Sequence, residues 1–148
     1  MGHISIVYGK IIGATWKTDD YHKLQRFNRN IIYDLPLNNT ASPLITKEMF
    51  AVPDPDKDKI YREQVIVFGA SYKDVEDNWA KWLEQFENIL RQLFWTSATV
   101  HLETELFGRF TFEWTIDLTK TANWFLDVPQ PILQWKFESV PRDFFSEL

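Results

Sequence analysis

The residues best suited to chemistry lie close together between positions 101 and 113: His101, Glu103, Glu105 and Glu113. They sit in alternating runs. Ala98, Val100, Leu102 and Thr104 interleave with Thr99, His101, Glu103 and Glu105; Phe110, Phe112, Trp114 and Ile116 interleave with Arg109, Thr111, Glu113 and Thr115. Alternation with period two predicts two strands, each with one apolar and one polar face. Opposed residues of a hairpin share a face, so the loop length must keep like against like. A three-residue loop, Leu106-Phe107-Gly108, does this and offers Gly108 for the left-handed position. It sets Glu105 against Arg109, Glu103 against Thr111, His101 against Glu113 and Thr99 against Thr115. Leu102 then meets Phe112 and Val100 meets Trp114.

An imidazole opposite a carboxylate is the minimum for a general base with an orienting acid, or for the start of a metal site. His101 with Glu113 is therefore the pair a small hydrolase-like enzyme would use. A solvated sheet face with cross-strand polar pairs accounts for the same residues more simply.

Other clusters carry less. Asp54, Asp56 and Asp58 have the spacing of a calcium loop, but Lys59 stands where the turn glycine belongs and Val65 where the bidentate Glu belongs. Gly69-Ala70-Ser71 falls between an apolar run and a helical pattern, yet matches no phosphate-loop motif. His22, Lys23, Arg26 and Arg29 give the first helix a basic edge, which reads as a solvated face. There is no Cys, no G-x-S-x-G elbow and no H-E-x-x-H. No cofactor and no metal are expected.

The elements that would hold these residues follow from periodicity. Ile4–Tyr8 is a β-branched and aromatic run; Gly9 makes either a bulged long strand or a tight hairpin there. Thr18 can cap a helix that opens with Asp19 and Asp20 and runs to about Tyr33, with Tyr21, Leu24, Phe27 and Ile31 at helical spacing. Residues 37–59 hold Pro43, Pro53 and Pro55 amid Asn and Asp, an irregular excursion. Val65-Ile66-Val67-Phe68, apolar on both faces, predicts a central strand within 60–68. From Asp74 to Phe94, Val75, Trp79, Trp82, Leu83, Phe86, Ile89, Leu90 and Leu93 recur at steps of three and four, one wide stripe for a sheet. Leu133, Trp135 and Phe137 predict a last strand. Trp124, Phe125, Phe144 and Phe145 fall outside every regular pattern and suit an exposed contact.

Strands gathered after helices predict an α+β fold: a mainly antiparallel sheet of about five strands with two main helices packed on one face. At 148 residues and 25% charged, the chain fits one ordinary globular domain, residues 1–148. No secretory signal or membrane-spanning run is visible, and the absence of Cys fits a cytoplasmic, reducing setting. The net charge of −5 disfavours phosphate backbones and so nucleic acid, and it suits a basic protein partner. Aromatics reach 16%, more than a core must use, and such rings are enriched at interfaces.

The expected function is thus a non-catalytic protein-binding domain, an inhibitor or immunity-type neutraliser of a basic toxin or nuclease. The contact residues expected are Glu76, Glu84 and Glu87 on the long helix, Glu103, Glu105 and Glu113 on the hairpin, and Trp124 and Phe125. The alternatives are the His101–Glu113 enzyme and a carrier of a small apolar ligand held between sheet and helices.

Overall fold

A computed structural model describes residues 2–13, 21–35, 44–58, 60, 62–117, 134–140 and 145. Among the described residues, six strands form one antiparallel sheet: β1 (Ile4–Ile12), β2 (Phe50–Ala51), β3 (Val65–Lys73), β4 (Ser97–Thr104), β5 (Gly108–Thr115) and β6 (Lys136–Glu138). Their order across the sheet is β2-β3-β1-β4-β5-β6. The helices are α1 (Tyr21–Tyr33) and α2 (Trp79–Leu90). The α+β architecture is the one the sequence predicts. The sixth strand is β2, a two-residue strand at the end of a 3₁₀ turn (Lys47–Met49) inside the supposedly irregular excursion.

β1 runs straight through Gly9 as one nine-residue strand. Side chains at Gly9 are forbidden by proximity: a Cβ there would lie 2.0 Å from the Thr99 carbonyl oxygen on β4. The glycine therefore lets two strands approach closely; it does not turn the chain.

α2 provides the aromatic wall of the core. Trp79 and Trp82 stack with ring centres 4.9 Å apart, and Trp82 stacks on Phe86 at 5.3 Å. Phe86 then meets Phe68 of β3 at 5.5 Å and Trp114 of β5 at 5.0 Å. The helix thus spans the inner face from β3 to β5, over Val7, Ile11, Val100 and Leu102, all fully buried. Its first turn is a 3₁₀ segment, Val75–Asn78, so the regular helix begins later than the stripe suggests.

α1 joins the same core by a face rotated from the one expected, sharing Leu24 and, at its margin, Ile31. Leu24, Gln25, Asn28 and Ile32 are buried, whereas Phe27 is exposed and touches Phe94 edge-on at 5.3 Å. Asn28 acts as a short strand rung. Its Nδ2 donates to the Phe94 carbonyl at 2.8 Å and its Oδ1 accepts the Phe94 N–H at 2.8 Å. The same Nδ2 reaches Gln64 Oε1 at 3.1 Å, and Gln64 Nε2 donates to the Gln25 carbonyl at 3.0 Å.

The β4–β5 hairpin keeps the predicted faces but not the predicted register. Thr104 pairs with Gly108, Glu103 with Arg109, His101 with Thr111 and Thr99 with Glu113. The loop is Glu105–Phe107, shifted so that every pairing moves by two residues. The Thr104 hydroxyl accepts the Phe107 N–H at 2.7 Å, closing the turn one step earlier than expected. Gly108 still supplies the left-handed residue, with φ +86°, and nothing lies within 4 Å of where its Cβ would be. Gly108→Ala should therefore cost about 1–2 kcal/mol, a pure backbone effect. Urea unfolding checks it; a neutral result would mean that the loop relaxes.

β3 departs most from expectation. It continues to Lys73, so Gly69-Ala70-Ser71 lies within a strand and does not form a turn. Nor is it buried on both faces. Val65 and Val67 are 39% and 47% exposed, because they point to the side of the sheet that no described helix covers.

Candidate partner-binding face

Antiparallel strands place alternate residues on opposite faces. The face turned away from α2 carries Val65, Val67, Gly69, Ser71 and Lys73 from β3, and Ile4, Ile6, Tyr8, Lys10 and Ile12 from β1. β4 and β5 add Thr99, His101, Glu103, Arg109, Thr111 and Glu113. Ile4 is 58% and Ile6 43% exposed. They sit beside Lys73 and Ser71 at one end of the face, whereas Val65 and Val67 sit beside Ile12 and Lys10 at the other; β4 and β5 carry a mixed polar half whose acids are Glu103 and Glu113 and whose base is Arg109. A cleft of about 400 Å³ opens at the Val65–Val67 end, walled by Tyr33, Val52, Pro53 and Asp58.

The centre of the face is His101. Its ring lies 5.0 Å from the Tyr8 ring, tilted by 35°, and its Nδ1 is 3.1 Å from Thr111 Oγ1. Glu113 stands opposite Thr99, so the His101–Glu113 pairing required by the catalytic alternative is not formed. The two-residue shift of register is the cause. Glu103 is ion-paired with Arg109 across the hairpin, and Glu105 lies 3.5 Å from His3 Nδ1. At the far edge Lys136 and Glu138 bond at 2.8 Å; this contact raises the lysine pKa and lowers that of the carboxyl.

Two of the expected contact residues point the other way. Glu76 is 4% and Glu87 5% exposed. Glu76 accepts a hydrogen bond from the Ser5 hydroxyl on β1, and Glu87 Oε2 accepts the Trp114 indole N–H at 3.0 Å. Both carboxylates tie α2 and its lead-in to the sheet and are withdrawn from any partner. Buried charge is tolerated only when it is hydrogen-bonded. The signal was present in the helical wheel. Glu87 falls four residues after Leu83 and three before Leu90, and Glu76 three before Trp79, so each occupies a stripe position. Glu84 is exposed, as expected. Trp124, Phe125 and Phe144 lie outside the described residues. Phe145 packs edge-on against Phe110 at 5.1 Å and is half-buried.

The other clusters resolve into local structure. Asp56 N–H bonds Asp54 Oδ1 at 2.9 Å and Asp54 N–H bonds Asp58 Oδ2 at 2.7 Å, so these carboxylates brace their own turn. Arg26 pairs with Asp56 at 3.0 Å, and Arg29 lies over the Tyr33 ring at 4.8 Å. Among the described residues, no three His, Cys, Asp or Glu side chains group as metal ligands, and no helix is long and apolar enough to cross a membrane. The clefts of about 360 to 410 Å³ sit at the ends and edges of the sheet, where an apolar ligand would stay wet.

The class defined is an α+β domain with one sheet face packed and the other carrying exposed aliphatic residues and charges of both signs. No protein-family model, no curated protein and no solved structure matches this chain.

Proposed function

We propose that this chain is a non-catalytic protein-binding domain that docks a basic protein on its outer sheet face. One observation carries the reading: Ile4 and Ile6 at one end of the outer face, and Val65 and Val67 at the other, stand exposed on the same side of the sheet as Glu103 and Glu113. Aliphatic area supplies affinity once water is expelled, and Glu113, exposed on the same face, favours a positive partner. The net charge of −5 acts in the same direction at longer range. An inhibitor or immunity-type neutraliser of a basic toxin or nuclease, working in the cytoplasm, is the role that fits such a surface by analogy.

The test is co-purification from the source cells followed by association kinetics with whatever stoichiometric protein is recovered. Ile6→Glu and Val67→Glu place charges in solvent and should change stability by less than about 0.5 kcal/mol. Each should nevertheless weaken binding at least tenfold. Glu113→Lys should slow association and flatten its salt dependence. The reading fails if the recovered partner is acidic, or if all three variants bind it as the parent does. It also fails if the chain turns over a substrate in a reaction that His101→Ala abolishes.

A further inference from the structure

The sheet ends on an incomplete strand. β3 has nine residues, all paired on one side with β1, but β2 covers only Val67 and Phe68 on the other. Among the described residues, Gly69–Lys73 has no strand beside it. That edge is roughly 16 Å long at the usual rise per residue. Gly69, Ser71 and Lys73 are exposed and Ala70 and Tyr72 are half-buried, so the edge is reachable.

The segment facing this edge is prevented from pairing with it. Leu44 N–H and Ile45 N–H both donate to Gln85 Oε1 on α2, at 3.2 and 3.3 Å. The Leu44 carbonyl accepts the Tyr72 hydroxyl at 2.6 Å, and Met49 N–H bonds the Thr46 carbonyl at 3.3 Å. Tyr72 is itself locked, since Trp82 Nε1 donates to its oxygen at 3.1 Å. Burial raises the Tyr72 pKa, outweighing the opposing effect of that hydrogen bond, so the phenol stays a neutral donor at neutral pH. Part of the backbone of 44–49 is thus engaged by side chains and its own turn. A cleft of about 360 Å³ remains between it and Gly69–Tyr72.

We infer that the Gly69–Lys73 edge receives an extended peptide segment from another protein, which adds a strand to the sheet. Alternating N–H and C=O groups on a free edge bond water in the isolated chain and are matched in register by a second extended chain. Small side chains at Gly69, Ala70 and Ser71 leave that approach open. On the cleft side the incoming residues meet Leu44, Met49 and Tyr72; on the outer side they meet Ser71 and Lys73. The occupant is therefore a proline-free strand with apolar and polar residues in alternation. The edge adjoins the outer face through Ser71 and Lys73, but Ile6 and Glu113 lie on other strands, so either reading can fail without the other.

The experiment pans a random heptapeptide library displayed on phage against the immobilised full chain. Enriched peptides are then measured in solution against the parent, Ala70→Pro, Ser71→Pro and Glu113→Lys. Adjacent residues of an antiparallel strand direct their N–H groups to opposite neighbours. One proline variant therefore loses only an outward N–H; it should keep the parental Tm and bind the peptide at least tenfold more weakly. Glu113→Lys should bind as the parent does. Hydrogen exchange of the parent should show the peptide protecting amides within 69–73, which decides the matter even if both proline variants unfold. No enrichment, protection confined to other segments, or undiminished binding by the folded proline variant would overturn the inference.

Discussion

Trp82→Ala should lower the unfolding free energy by about 3–5 kcal/mol, within the range for deleting a large buried ring. Trp82 is fully buried at the middle of α2, stacked between Trp79 and Phe86. Its removal opens a cavity under the helix, because rings held on two sides by stacking cannot collapse into the gap. It also takes the indole N–H from the Tyr72 hydroxyl. Against a total stability of roughly 5–15 kcal/mol, this is a large fraction. Urea denaturation with unchanged m-value reads it directly. Trp82→Phe, which keeps a ring in the stack, should recover more than half of the loss. A cost under 1 kcal/mol for the alanine variant would mean that α2 does not form the core wall.

The second large effect belongs to a polar residue. Asn28→Ala should cost about 2–5 kcal/mol, since it strands the N–H and C=O of Phe94, each worth roughly 1–3 kcal/mol when buried and unpaired. Asn28 is fully buried and bonds both groups at 2.8 Å. Asn28→Leu separates the hydrogen bonds from the cavity: it fills the space and should still lose most of the same energy. Asn28→Asp keeps the acceptor for Phe94 N–H but has no donor for the carbonyl, and it buries a charge, so it should not rescue. Thermal unfolding of the three variants checks this; near-parental stability of Asn28→Leu would show that the pairing is dispensable.

These two sites mark how far the sequence could be read. Trp82 belonged to a stripe of apolar residues at steps of three and four, and apolarity and burial agree there. Asn28 lies four residues from both Leu24 and Ile32, so its position on the wheel is inward, but its chemistry argues for solvent. Glu76 and Glu87 misled for the same reason. Residue type and angular position conflict at all three, and the folded protein satisfies such groups with single neighbours that no local pattern reveals: Phe94, Ser5 and Trp114.

The strands show a different limit. Alternation fixed the faces of β4 and β5 correctly, yet it cannot distinguish registers two residues apart, because both leave every side chain on its own face. The Thr104 hydroxyl on Phe107 N–H decided between them. His101 was consequently set against Thr111 in place of Glu113, and the apparent catalytic pair dissolved. For Val65 and Val67, apolarity on both faces suggested a covered central strand. The structure places β3 next to a two-residue edge and leaves these valines facing out. An apolar residue on the uncovered face carries more functional information than one in the core, which only packs.

Hydroxyl-radical footprinting of the native chain tests the contrast between the two faces most directly. Ile4, Ile6, Val65 and Val67 should oxidise at rates near those of the unfolded chain, and the far more reactive Trp79, Trp82 and Trp114 should be protected at least tenfold. Ready oxidation of those tryptophans, or protection of the four aliphatic residues in a chain shown to be monomeric, would contradict the account.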